Sequence, residues 1–398
     1  MSQSERPLIV AGQGIRLAGG IESLEYLLGK TGIPVSTSFN GCDLLPTDHP
    51  NYVGRIGNFG ERSGNFCIKN ADFLLTIGTR NNYRQTGFNR SDYARSAYKV
   101  VVDIDPAELM KPGISPDLSI ESDAAEFLDA FLKKLNNIGV DKERWKKWRD
   151  WCTSCRRRYS TVLPEYESAD EGVQPYYLIR RLTEKITADT TVVTGNGTAY
   201  LVMMQAGVVK FRQRVISNSG CASMGYDIPA AIGAALGGKK EVLCLTGDGS
   251  VMMNIQELAT LRYLNLPVKL FILCNSGYIS IRQTQDTFFG KPHVACGPES
   301  GVTFPDFEEV AKSFGLPVFA LKNHDGIDAV FHQVMSVKGP AVCVVQLLND
   351  YAFSPRSSSQ RLPDGTIASK PLEDMFPFLE RSEYRKNFYE NTDKELGE

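Results

Sequence analysis

Apolar residues in this chain fall into two alternating textures. Short unbroken runs such as Pro7-Leu-Ile-Val-Ala11, Phe73-Leu-Leu-Thr-Ile77, Val100-Val-Val-Asp-Ile-Asp105, Glu241-Val-Leu-Cys-Leu-Thr246, Val268-Lys-Leu-Phe-Ile-Leu-Cys274 and Ala341-Val-Cys-Val-Val-Gln346 are rich in β-branched residues. Several of them stop at glycine, asparagine or aspartate, and they predict strands buried on both faces. Ile33-Pro-Val-Ser-Thr37 reads as a further strand. Between the runs the apolar positions recur at helical spacing, as in the segment through Leu28, in Ala124 to Leu135, and at Val251, Met252, Ile255, Leu258, Ala259 and Leu261 before Asn265-Leu-Pro267. Strands alternating with helices predict an α/β fold of two doubly wound parallel sheets. The expected organisation is a first domain over 1–136, a helical linker over 137–174, a second domain over 175–350 and a C-terminal tail or lid over 351–398.

Composition narrows the partners. A formal net charge of −2 over 398 residues excludes nucleic acid or an acidic membrane surface as the main partner. The stretch Met1 to Arg6 lacks the apolar core of a signal peptide, and no apolar run is long enough to span a bilayer, so a cytoplasmic location is expected. Nine scattered cysteines, three of them (Cys244, Cys274, Cys343) in expected strands, fit reduced buried thiols rather than a disulfide framework. Cys152-Thr-Ser-Cys155 has metal or redox spacing but no second pair, and reads as a coincidence of one helix. Trp145, Trp148 and Trp151 share a helix face, with Arg156 to Arg158 beyond, and are expected to dock on a neighbouring domain.

The chemistry centres on Gly247-Asp248-Gly249-Ser250, with Asn275-Ser-Gly277 following at the end of the next strand. A right-handed βαβ crossover brings two such strand ends side by side, at the edge where open α/β sheets bind ligands. Asp248 and the Asn275 side-chain carbonyl are hard oxygen donors suited to Mg²⁺, and Gly277 adds a backbone carbonyl. Gly247 and Gly249 admit an anion close to the backbone, while Ser250 and the helix N-terminus offer donors to a diphosphate. The same residues also make a plain aspartate-glycine turn with a helix cap, but the whole strand-turn-helix-strand series answers several requirements of a metal-diphosphate site together.

This series resembles the thiamine diphosphate signature, and residues 6 to about 350 are similar to the central and C-terminal domains of acetolactate synthase and its relatives. The resemblance implies a thiamine diphosphate-binding fold: a central Rossmann-like domain followed by a diphosphate-binding domain. Val192-Val-Thr-Gly195-Asn196-Gly197-Thr198 stands where that family makes its diphosphate-contacting turn. Ser219-Gly-Cys-Ala222-Ser-Met224-Gly225-Tyr226 is similar to the family's loop whose bulky apolar residue, here Met224, bends the cofactor. By resemblance Asp248, Asn275 and Gly277 hold Mg²⁺, Gly195, Asn196, Gly197, Ala222, Gly247, Gly249 and Ser250 surround the diphosphate, and Met224 and Tyr278 shape the thiazolium side. Gln283, Thr284 and Gln285 read equally as a substrate entrance or an exposed helix end.

In acetolactate synthases the central domain holds FAD, and Gly12, Gln13, Gly14, Thr37, Ser38, Gly78, Thr79, Arg80, Asp103, Ile104 and Asp105 match the family's FAD-contacting positions. Other relatives hold ADP there or nothing. This chain departs from the family's Arg-Phe-Asp-Asp-Arg by showing Arg80-Asn-Asn-Tyr-Arg84, which leaves FAD, ADP and an empty fold open.

The family's activating glutamate lies on a pyrimidine-binding domain that precedes the central one. The chain starts just before its first central strand, so that glutamate is expected on a separate chain, in a homo- or hetero-oligomer. The function implied is a carboligase that decarboxylates pyruvate or another 2-oxo acid and joins the remaining fragment to an acceptor. Alternatives are a simple 2-oxo acid decarboxylase, a carboligase that transfers the two-carbon unit to a keto-sugar, and an inactive cofactor-binding fragment.

Overall fold

A computed structural model describes residues 1, 3–139, 141–169 and 171–389. The chain forms two compact units. Unit 1 comprises Met1–Thr161 together with the segment from Ser354, and unit 2 is Val162–Phe353.

Unit 1 is built on six parallel strands, β1 (Pro7–Ala11), β2 (Val35–Thr37), β3 (Tyr52–Arg55), β4 (Phe73–Ile77), β5 (Tyr98–Asp103) and β6 (Leu118–Glu121). They lie in the order β3-β2-β1-β4-β5-β6, the order of a dinucleotide-type doubly wound sheet. Successive side chains of β1 feed opposite cores. Ile9 and Ala11 pack with Leu24, Leu27 and Leu128 of the helices Ile21–Thr31 and Ala124–Ile138, while Leu8 and Val10 pack with Cys67, Ile68 and Trp148 on the other face. Asp123 caps the second of those helices through the N–H groups of Ala125 and Glu126.

Two expectations about the flanking segments change. The tryptophan-bearing helix, Lys146–Arg158, expected to dock on a neighbouring domain, packs on the sheet of its own unit. Trp148 Nε1 donates to the Pro7 carbonyl at 2.8 Å and Trp145 Nε1 to the Ser4 carbonyl at 2.9 Å. Cys152 and Cys155, on the same helix, are fully buried free thiols, and burial pushes both up from the ordinary thiol range. Residues 351–398, expected as a tail or lid, divide: Tyr351 and Phe353 stay in unit 2, and the chain from Ser354 clusters with unit 1. Arg62 holds the carbonyls of Met375 and Pro377, Asn65 that of Leu372 and Asn70 that of Asn387.

Unit 2 has its own six parallel strands, β7 (Thr191–Thr194), β8 (Val215–Ser217), β9 (Val242–Gly247), β10 (Val268–Cys274), β11 (Val318–Leu321) and β12 (Ala341–Gln346). Their order is β11-β12-β10-β9-β7-β8. The chain runs from β7 outward to β8 and then returns to β9 on β7's other side, so the carboxyl ends of β7 and β9 flank a topological switch point. The single helix expected after Gly247 is two, Asp248–Met253 and Glu257–Tyr263, because Asn254 turns out of the helix and donates from Nδ2 to the Gly225 carbonyl at 2.6 Å. Among the described residues no helix is long and apolar enough to cross a membrane.

Candidate functional site

Register places the central motif. Gly247 of β9 pairs with Leu273 of β10, so the residues that follow, Asp248 and Asn275, leave the same edge of the sheet side by side. Both are buried. One Asp248 carboxylate oxygen, Oδ2, accepts the N–H of Asn275 at 3.1 Å and of Gly277 at 3.4 Å, and Oδ1 accepts that of Gly249 at 2.8 Å. Burial nevertheless pushes the carboxyl up to about 6 against these backbone donors. A carboxylate held in an apolar setting with only N–H partners is short of positive charge, and a divalent cation supplies it.

Asn275 shows the complementary half. Its Nδ2 donates to Tyr351 Oη at 2.9 Å and toward Thr198 Oγ1 at 3.5 Å, and those two hydroxyls share a short hydrogen bond. The amide is thereby fixed with its oxygen turned away, and that buried Oδ1 has no hydrogen-bond partner. A buried carbonyl oxygen left unmet costs on the order of 1–3 kcal/mol, so on a residue whose backbone already meets Asp248 it fits an oxygen-seeking cation. The turn that follows is strained to reach the same spot: Ser276 lies at φ +60° and Gly277 at +150°. A Cβ at Gly277 would come within 2.1 Å of the Cys296 carbonyl oxygen.

The glycines divide by what they face. A Cβ on Gly247 or Gly197 would meet open space, whereas one on Gly249 would strike the Tyr278 ring at 2.3 Å and approach the Met224 methyl at 3.1 Å. Met224, Gly249 and Tyr278 therefore form one surface. Ala222 lies in the left-handed region at φ +51°, and its carbonyl accepts Asn196 Nδ2 at 3.1 Å, tying the β7 turn to the 219–226 loop.

Asp227, which motif reading passed over, is the hidden brace of this region. It is fully buried, and it accepts the hydroxyls of Thr246 (2.8 Å) and Ser250 (2.7 Å) and the Ile228 N–H (2.9 Å). Its carboxyl is raised by burial. A Cβ on Gly195 would lie 2.0 Å from its Oδ2, so Gly195 is required by a carboxylate beneath it. The one proton of the Ser250 hydroxyl is committed to Asp227, and its oxygen also accepts the Gly225 N–H at 2.8 Å. What Ser250 can give an anion is its backbone N–H, in the helix's unpaired first turn.

Gln283 and Gln285 turn out to be anchors. Gln283 Nε2 donates to the Tyr351 carbonyl at 2.8 Å, and Gln285 makes two bonds of 2.8 Å to the backbone of Val294. Thr284 bonds back to the Ser280 carbonyl of its own helix. Tyr351 lies 76 positions beyond Asn275, and no local motif announces it.

The corresponding edge of unit 1 is different. A Cβ on Gly12 would sit 2.1 Å from the Gly78 carbonyl oxygen, and one on Gly14 would sit 2.7 Å from Gly78 Cα, so turn packs against turn. Asp103 accepts the N–H groups of Arg80 and Asp105, and Asp105 caps the helix starting at Pro106. Thr79 bonds Asn81, Arg80 pairs with Glu108, and Ser38 accepts the Gly41 N–H. Thr37 is buried and its hydroxyl has no hydrogen-bond partner, while the Tyr52 hydroxyl donates to Glu61. Ile104 is exposed, and the Gln13 side-chain oxygen is buried without a partner. Local hydrogen bonding accounts for most of these residues and leaves the buried oxygens of Gln13 and Thr37 unmet.

Comparison with known proteins agrees with the geometry. Residues 195–345 match the C-terminal TPP binding domain of thiamine pyrophosphate enzymes, and residues 1–131 match their central domain. Similar curated proteins include a probable acetolactate synthase large subunit of Methanococcus aeolicus, 30% identical over 92% of this chain and 61% of that protein. The acetolactate synthase isozyme 2 large subunit of Escherichia coli is 28% identical over 90% of this chain and 63% of its own length. Acetolactate synthase 1 of Zea mays is 32% identical over 85% and 53%. The chain thus spans between about half and two thirds of the relatives it matches. Two six-stranded parallel sheets, the donor set at β9 and β10 and these matches lead to one conclusion: the chain belongs to the thiamine pyrophosphate enzymes, with their central and C-terminal domains.

Proposed function

We propose that this chain provides the metal- and diphosphate-binding part of a thiamine diphosphate-dependent carboligase of acetolactate synthase type, acting on pyruvate or another 2-oxo acid. The observation that carries the metal assignment is the orphaned Oδ1 of Asn275, the residue whose backbone N–H meets the buried Asp248 carboxylate. These two oxygens and the Gly277 carbonyl would hold Mg²⁺, which takes few protein oxygens and completes its shell with phosphate and water. The backbone of Gly195, Asn196, Gly197, Gly249 and Ser250 would receive the diphosphate, with the loop at Ala222 and Gly247 leaving room for it.

When bound, thiamine diphosphate supplies a nucleophilic carbon that takes up the 2-oxo acid carbonyl and accepts the electrons released with carbon dioxide. The chain's own residues orient and dry that chemistry. Tyr351 and Thr198 fix the Asn275 amide, Asp227 fixes Ser250 and the 219–226 loop through it, and Met224 with Tyr278 keeps water from one wall. The donors gathered here serve the metal and diphosphate. The group that activates the aminopyrimidine is read as coming from a separately encoded pyrimidine-binding chain.

Calorimetric titration of the purified chain with thiamine diphosphate and Mg²⁺, against Asp248→Ala, tests the site. Metal-dependent binding lost in the variant is expected, and equal affinity in the two proteins overturns the assignment. With the pyrimidine-binding chain added and pyruvate supplied, acetolactate is the expected product; acetaldehyde alone would replace the carboligase by a decarboxylase.

A further inference from the structure

A second cluster of metal-binding side chains lies in the segment after the helix Ile279–Phe288, outside the donor set just described. His293, Cys296 and Glu299 each present one ligand atom, and these atoms all lie within 4.8 Å of one another. His293 Nδ1 is 3.4 Å from Glu299 Oε1. A tetrahedral zinc ion with bonds of about 2.0–2.3 Å sets its ligand atoms roughly 3.3–3.7 Å apart, so the cluster needs a contraction of about 1.5 Å at most.

The far side of the imidazole is also arranged. His293 Nε2 lies 2.7 Å from Asp286 Oδ1, the carboxylate-histidine pairing that fixes the tautomer of a ligating histidine. With the ring proton on Nε2, the Nδ1 lone pair points at the Glu299 carboxylate. Two electron-rich atoms at that distance repel unless the ring takes a second proton or a cation stands between them. The Glu299 carboxylate brings oxygen donors to the same point.

The loop is held in this shape before any ion arrives. Ser300 Oγ accepts the N–H groups of Cys296 at 2.9 Å and Gly297 at 3.0 Å, Gln285 grips Val294 by both backbone groups, and Tyr278 donates its N–H to the Cys296 carbonyl at 2.8 Å. Gly297 leaves room for Glu299 to fold back: a Cβ there would lie 2.8 Å from Oε2. Cys296 is fully buried and the His293 side chain is 9% exposed, while that of Glu299 is 54% exposed. The thiol and imidazole thus form the dry floor and the carboxylate the solvent side.

We infer that His293, Cys296 and Glu299, with Asp286 orienting the histidine, form a site for a zinc-class divalent cation, with water in the fourth position. As the metal–sulfur bond forms, the Cys296 thiol gives its proton to solvent, and the ion takes the thiolate, the Nδ1 lone pair and one carboxylate oxygen. A borderline-soft ion is selected over Mg²⁺ by the sulfur and nitrogen donors. The inference stands independently of the carboligase reading.

The test uses the full-length chain, stripped with a chelator and then titrated with Zn²⁺ and, separately, Co²⁺ in excess Mg²⁺. One bound zinc per chain is expected, with a thiolate-to-cobalt charge-transfer absorption in the cobalt form. His293→Ala should weaken zinc by roughly 100-fold and Asp286→Asn by roughly 10-fold, since ligand and supporting shell act in that order. Cys296→Ser should abolish the charge-transfer absorption. Because Cys296 is buried, circular dichroism of that variant is compared with wild type, and if it unfolds, His293→Ala, checked for folding in the same way, decides the outcome. Failure to bind zinc in excess Mg²⁺, or zinc affinity unchanged in His293→Ala, overturns the site.

Discussion

The two units reach their switch points with similar turns and opposite outcomes. In unit 1 the turn after β1 and the turn after β4 press backbone to backbone, Gly12 on Gly78, and nearby polar groups such as Asp103, Asp105 and Thr79 find protein partners. In unit 2 the turn after β9 leaves Gly247 facing space, keeps an aspartate buried at a raised pKa, and leaves the Asn275 oxygen unmet. A glycine-rich turn at a strand end is thus no ligand site by itself. Open space beside a buried carboxylate of raised pKa distinguishes the second edge; unmet oxygens occur at both, on Asn275 there and on Gln13 and Thr37 at the first.

The sharpest way to break this contrast is Asp248→Ala. Loss of a metal ligand should weaken Mg²⁺-dependent thiamine diphosphate binding by roughly 100-fold or more, read by calorimetry. A comparable loss on substituting Asp103→Asn in unit 1 would erase the distinction.

A matched pair of alanines comes next. Gly12→Ala forces a Cβ into a carbonyl and should cost about 3 kcal/mol, seen as a lower denaturant midpoint with diphosphate affinity intact. Gly247→Ala, with extended backbone and free space, should keep the midpoint and lose affinity. The contrast fails if the two variants behave alike.

Acid titration gives a third reading. Below about pH 4 Asp248 carries its proton in both folded and unfolded chains; between there and about 6 only the folded chain keeps it. Stability of the ligand-free protein therefore falls as pH rises through that window, by about 3 kcal/mol in all. Mg²⁺ needs the ionised carboxylate, so its stabilisation grows over the same window. Melting temperatures with and without Mg²⁺ and thiamine diphosphate should differ at about pH 7.5 and converge at about pH 5. A shift of equal size at both would remove Asp248 from the metal.

The smallest effect is expected from Tyr351→Phe. Without that hydroxyl Asn275 Nδ2 keeps only the weaker Thr198 contact. Stability should fall by about 1 kcal/mol and Mg²⁺ affinity by roughly 10-fold. An unchanged Mg²⁺ affinity would show that the amide needs no such brace.

The parts of this picture legible in sequence were those written in contiguous apolar runs. β1, β4, β9, β10 and β12 stand out because each is buried on both faces, and the register of β9 and β10 follows from them. Tyr52–Arg55, Val215–Ser217 and Val318–Leu321 are short and mixed in character, and they become strands only because a neighbour's edge is there to pair with. Asp227 was invisible in role because its partners, Thr246, Ser250 and Gly195, come from two other turns. The tail's association with unit 1 rests substantially on side-chain bonds to backbone carbonyls, which leave no periodic trace.

That tail has a consequence in time. Unit 2 is one continuous stretch, whereas unit 1 is interrupted by it and is finished only by the segment from Ser354. At synthesis rates of about 5–20 residues per second, the first part of unit 1 waits roughly 10 seconds or more for the carbonyls that Arg62, Asn65 and Asn70 are to hold. On the ribosome the metal-binding unit should therefore be complete first, and a nascent chain stalled shortly after Phe353 clears the exit tunnel should resist protease across Val162–Phe353 while Met1–Thr161 is still cut.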